Sequence, residues 1–188
     1  MSIPNILTSL RILLIPVLVM VFYSPFQWSY LAAAGIFTIA SITDYLDGYL
    51  ARRWGQITPF GAFLDPVADK LIVAVALVLL VEVHESAILA IPAMVIVCRE
   101  IMVSALREWM AQYSERRGVA VSFLGKLKTV FQMVAIIGLL AIGPNLTSKL
   151  VVSGYVLLYM AAVLTLWSMF QYLKLAWPDL VSGMRPED

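Results

Sequence analysis

Asp44, Asp47, Asp65 and Asp69 stand in the pattern D-Y-L-D-G-Y-L-A-R, then eight residues, then G-A-F-L-D-P-V-A-D, within segments apolar enough to lie in a bilayer. An ionised side chain at the centre of a membrane helix costs roughly 2.5 to 3.5 kcal/mol on insertion scales, and four carboxylates together also repel one another. Something positive must offset that cost. Hard divalent cations such as Mg²⁺ or Mn²⁺ are the natural candidates, because they take oxygen ligands and leave room for a substrate phosphate. Asp44 and Asp47 are three apart and Asp65 and Asp69 four apart, so each pair shares one face of its helix. Two antiparallel neighbours can then present four carboxylates to one cavity.

The elements that must position them follow from composition. Of 188 residues, 62% are hydrophobic and 13% charged, more apolar side chain than a soluble domain of this size can hide. The chain reads as an all-α, polytopic membrane bundle of six transmembrane helices: Pro4 to Tyr23, Trp28 to Arg53, Gly61 to Val83, Ser86 to Tyr113, Ser122 to Ile142 and Ser148 to Leu173. Ile3 to Tyr23 differs from a cleaved leader in its interrupting Arg11 and in lacking a small-residue cleavage site before Trp28. Turn signals at Ser24-Pro25, Thr58-Pro59, Gly118 and Gly143-Pro144-Asn145 separate the spans. No linker or repeat divides residues 1–188, so one domain is expected, with a short mobile tail after about residue 177.

Basic residues favour the cytoplasmic side. Arg52, Arg53, Arg116, Arg117, Lys126, Lys128, Lys174 and Arg185 fall on one face, whereas the opposite loops carry only Lys149 among basic residues. Both termini and the carboxylates are thus expected at the cytoplasmic face. Asp44 is 17 residues from Gln27 and Asp65 17 from Glu82, roughly 25 Å at 1.5 Å per residue. Both pairs therefore come out at one depth. A single cysteine, Cys98, excludes an intramolecular disulfide and reads as a small buried hydrophobe. His84 reads as a loop residue on the wrong side for catalysis. Near-neutral charge argues against nucleic acid.

The arrangement filled by Asp44, Asp47, Gly48, Ala51, Arg52, Gly61, Asp65 and Asp69 resembles the signature of the CDP-alcohol phosphotransferase family at every position. The resemblance implies metal-dependent transfer of a phosphatidyl or related group from a CDP-linked donor to an alcohol, with release of CMP. It assigns Asp44, Asp47 and Asp65 as metal ligands and Asp69 as general base and further ligand. Gly48, Ala51, Arg52 and Gly61 go to the CDP-donor site. Two bridged ions can clamp a pyrophosphate, and a base must take the acceptor's proton. The segments P-N-I-L-T-S-L-R, R-E-I-M-V-S-A-L-R-E-W and G-K-L-K-T are similar to one bacterial branch of the family. For that branch the implied donor is CDP-diacylglycerol, the acceptor glycerol 3-phosphate, the location the bacterial inner membrane and the assembly a homodimer.

Asn5, Thr8 and Arg11 recur at a spacing of three on the first span. They are either a helix start with an interfacial arginine or, as the resemblance favours, the border of the donor site. Lys126 and Lys128 are explained by positive-inside charge alone or by a dianionic acceptor's need for cations, together with Arg107 and Arg99. Arg99 and Glu100 could instead pair structurally. Thr43 could bond its own backbone or a substrate hydroxyl. Small residues at Ala32 to Gly35 and at Ser153-Gly154 suit close helix contact. Aromatics such as Trp28, Tyr30, Trp167, Tyr172 and Trp177 suit an interfacial belt.

Two other classes compete. Intramembrane carboxylates also mark ion paths, so a divalent-cation transporter is the non-enzyme alternative, opposed by the lack of a second polar station in the outer half. An aspartate-rich membrane prenyltransferase shares Mg²⁺ and diphosphate chemistry but lacks the G-x-x-A-R element.

Overall fold

The computed structural model describes residues 3–54, 59–113, 123–145 and 149–183. Six α-helices make up these residues: α1 (Ile3–Phe22), α2 (Ser29–Trp54), α3 (Pro59–His84), α4 (Ala87–Tyr113), α5 (Phe123–Ile142) and α6 (Lys149–Gly183). Their local signals are plain. Pro59 opens α3 at the position where a missing N–H costs nothing. The carbonyl of Ser86 receives the first bonds of α4, from Leu89 and Ala90 at 3.0 Å. Gly143 ends α5 with φ +60°, and a Cβ there would fall 2.6 Å from the Tyr30 ring, so both backbone and space require glycine.

Each helix boundary lies within two residues of the expected span, with one exception. α6 continues through Trp177 and Pro178 to Gly183, ten residues past the expected end at Leu173. Pro178 deprives the carbonyl four residues back, at exposed Lys174, of its helical partner. A carbonyl at an exposed position can be solvated, so the helix survives. Pro16, Pro66 and Pro92 likewise stand inside α1, α3 and α4.

The helices form a ring in which α1 packs on α2, α2 on α5, α5 on α6, α6 on α4, α4 on α3 and α3 back on α1. The ring has two storeys. One is apolar, built from Leu18, Phe37, Leu77, Leu80, Leu89, Ile96, Leu139 and Leu158. Small residues let the helices approach closely. Ala33 and Ala34 are buried, and a Cβ on Gly154 would meet Leu139 at 2.7 Å. The other storey holds buried Thr8, Arg11, Arg99, Lys128, Gln132, Thr165 and Ser168.

The outer surface inverts this pattern, with Leu13, Val78, Met94, Val152, Val163 and Phe170 all more than half exposed. Cations inside and large hydrophobics outside suit a lipid environment. Among the described residues Ala87–Met110 and Lys149–Lys174 are long and apolar enough to cross a membrane, with shorter apolar stretches at Thr8–Phe22 and Leu127–Ile142. Such apolar helices are those expected of a membrane protein.

Two expectations are corrected. Cys98 is exposed, on the apolar outside of α4 rather than in the core. His84 is no loop residue: it ends α3, is 3% exposed and holds Nδ1 2.9 Å from the Tyr155 hydroxyl. Among the aromatics, Tyr30 lies beneath Gly143 and edge-on to Phe22, and Tyr172 beneath the Arg107 guanidinium.

Candidate active site

Arg11 is the centre of the first polar cluster. It lies on α1, 1% exposed, one turn from buried Thr8 on the same face. Its Nη1 atom is 3.0 Å from Asp44 Oδ1 of α2 and also donates to Asp69 Oδ1 of α3. One nitrogen thus draws together the first and last aspartates of the motif from two helices. Both carboxylates remain about 40% exposed. Arg11, expected beside the donor, stands among the carboxylates.

The fit to a divalent cation rests on this convergence. Asp44 and Asp69 already meet at one positive centre, and hard oxygen donors in that number suit Mg²⁺ or Mn²⁺. The side chains of Asp47 and Asp65 lie outside the described residues, as do those of Asn5, Gly48, Ala51, Arg52 and Lys126. Gly61 is described and buried, in the first turn of α3. Thr43 bonds the carbonyls of Ile39 and Ala40 at 3.0 and 2.8 Å, so it serves its own helix.

A second polar cluster joins α4, α5 and α6. Arg99 gives Nη1 to Glu100 at 2.9 Å and Nη2 to the Ser168 hydroxyl at 2.6 Å. Lys128 reaches the same Glu100 oxygen at 3.4 Å. Arg107, two turns from Arg99, is exposed, with its guanidinium 5.8 Å from the centre of the Tyr172 ring. Three of the four cations expected at the acceptor are therefore found in one region. Sequence reasoning passed over Lys70, whose ammonium bonds the Ser104 hydroxyl of α4. Its signal was its place immediately after Asp69.

A wide apolar groove of about 990 Å³ lies elsewhere, between α4, α5 and α6, walled by Ile88, Phe131, Tyr155, Tyr159 and Val163. Among the described residues, no acidic or basic side chain lines it.

Known proteins resemble this chain over most of its length. Residues 1–167 match the family model described as CDP-alcohol phosphatidyltransferase. A protein of Pseudomonas fluorescens named CDP-diacylglycerol--glycerol-3-phosphate 3-phosphatidyltransferase is 56% identical over 188 residues, covering 100% of this chain and 96% of its own. Proteins of the same name from Yersinia pestis (strain Pestoides F) and Salmonella choleraesuis (strain SC-B67) are each 54% identical, covering 96% of this chain and 98% and 97% of theirs.

Proposed function

This chain belongs to the CDP-alcohol phosphatidyltransferase family, and from that premise we propose that it transfers the phosphatidyl group of CDP-diacylglycerol to sn-glycerol 3-phosphate, giving phosphatidylglycerophosphate and CMP. The observation that carries this is the meeting of Asp44 and Asp69 at one Arg11 nitrogen, beside a cation-rich cluster of a kind a phosphorylated acceptor needs. The relatives' printed name supports both donor and acceptor.

Asp44, Asp47, Asp65 and Asp69 would hold two divalent ions, Mg²⁺ or Mn²⁺. When bound, these supply charge neutralisation at the diphosphate and polarise the phosphorus under attack. Asn5, Thr8, Arg11, Gly48, Ala51, Arg52 and Gly61 border the donor, whose acyl chains stay in the bilayer. Asp69 takes the proton of the acceptor's terminal hydroxyl. That oxygen bonds the phosphorus attached to diacylglycerol while the bond from phosphorus to the CMP oxygen breaks. Arg99, Arg107, Lys126 and Lys128 bind the acceptor's phosphate. Six helices span the bacterial inner membrane, with the site and both termini at the cytoplasmic face and the protein a homodimer.

The test is CMP release by the purified protein from CDP-diacylglycerol with Mg²⁺ or Mn²⁺, offering glycerol 3-phosphate, serine, inositol and phosphatidylglycerol separately. Release with glycerol 3-phosphate alone is expected. Release with another acceptor changes the substrate and keeps the mechanism, whereas none from folded protein favours ion transport.

A further inference from the structure

Lys70 belongs to neither residue set assigned above. It follows Asp69 on α3, and its ammonium crosses to Ser104 on α4. Ser104 lies four residues after Glu100 and three before Arg107, so these three share one face of α4. Lys70 therefore stands at the seam between the clusters. Asp69 acts on it electrostatically from the carboxylate side, and Glu100, Arg107 and Glu108 from the other. A lysine that merely follows the positive-inside rule extends to headgroups and water. This one turns inward onto a hydroxyl, which leaves its charge uncompensated by that contact.

The charge balance points the same way. Lys70, Arg99 and Lys128 each sense Glu100, and each senses Arg107. With Glu100, Glu108 and Asp69 all counted, these four cations still outnumber the carboxylates that act on them among the described residues. A phosphate monoester brings the opposite charge.

We propose that Lys70 is a specificity-determining residue that binds the phosphate of the acceptor, with Ser104 as its positioning residue. This rests on the phosphotransfer reading above and adds a group to it. Consecutive helix residues differ by about 100° in direction and 1.5 Å in height. Asp69 thus faces Arg11 and Asp44, while Lys70 faces α4. An acceptor lying across the two places its hydroxyl on one residue and its phosphate on the next. Choice of a phosphorylated acceptor and alignment of the attacking oxygen are thereby coupled.

The test compares wild type, Lys70→Met, Lys70→Arg and Ser104→Ala in the full-length protein. It reads KM for each substrate and inhibition by inorganic phosphate competing with glycerol 3-phosphate. In Lys70→Met the acceptor KM and the phosphate inhibition constant should both rise about tenfold or more, as for loss of a charge-assisted hydrogen bond. The donor KM should be unchanged, Lys70→Arg should recover most of the loss, and Ser104→Ala should move both acceptor readouts the same way by a smaller factor. An unaltered acceptor KM in Lys70→Met overturns the assignment, as does an equal rise in donor KM. Should Lys70→Met fail to fold, wild-type values in Ser104→Ala overturn it. Absence of CMP release by wild type with glycerol 3-phosphate instead overturns the underlying reading of the acceptor.

Discussion

The Arg99 guanidinium on α4 donates to the Ser168 hydroxyl on α6 at 2.6 Å, with both side chains buried. One turn further along α6, Tyr172 lies beneath Arg107, two turns further along α4. The same two cations read as acceptor ligands thus fasten α4 to α6. On that reading binding and architecture share their residues, because a buried cation such as Arg99 must be held by something before an anion arrives.

Glu100 is the single carboxylate that both Arg99 and Lys128 contact among the described residues. Glu100→Gln leaves two buried cations without their counter-charge, a loss of about 3 kcal/mol or more by analogy with broken buried pairs. The expected outcome is a melting temperature several degrees lower in detergent. Glycerol 3-phosphate should restore part of it, since the dianion replaces the missing charge. An unchanged melting temperature would show that the pair contributes little.

Asp69→Asn keeps the shape of the side chain and removes its basicity. Turnover should fall by about 10² to 10⁴, the usual range for a lost general base, with the donor KM little changed. Asp44→Asn should also weaken divalent-ion retention. Near wild-type turnover in Asp69→Asn removes it from the proton transfer.

Much of this was legible in the chain itself. The helix boundaries followed from long apolar runs ended by Gly, Pro and Ser. The partners of Arg11 were not legible, because which carboxylates an intramembrane arginine meets depends on which helices flank α1. Lys70 was missed because a lysine at the end of an acidic motif looks the same as a topological one until its partner on α4 is known. Cys98 went the other way: small and apolar by type, it falls on the outward face of α4, where lipid accepts it as well as a core would.

Arg11 offers a test of the proposed metal site. In Arg11→Ala, Asp44 and Asp69 lose their shared cation, so repulsion should lower the melting temperature in chelator. Mg²⁺ should then raise it more than in wild type, because the ion supplies the absent positive charge as well as its own ligand bonds. Thermal unfolding with chelator and with Mg²⁺ reads this directly. Equal Mg²⁺ shifts in both proteins would mean that Arg11 does not share the site.

His84, one residue past the expected third span, gives the pH dependence. Burial lowers its pKa below the ordinary 6.5, and Nε2 has no hydrogen-bond partner among the described residues. Glu82 and Glu85 flank it in sequence, and Tyr155 faces it from α6. The neutral ring is therefore the form the fold prefers. Below pH 6.5 the unfolded chain takes up a proton that the folded chain refuses, so stability declines as pH falls towards the folded value and is unaffected above 6.5. The slope in that window approaches 1.4 kcal/mol per pH unit at most. Melting temperature measured from pH 7.5 down to about 5.5 should fall more steeply for wild type than for His84→Gln, whose side chain does not titrate. Parallel curves would show that His84 is already protonated, or exposed, in the folded protein.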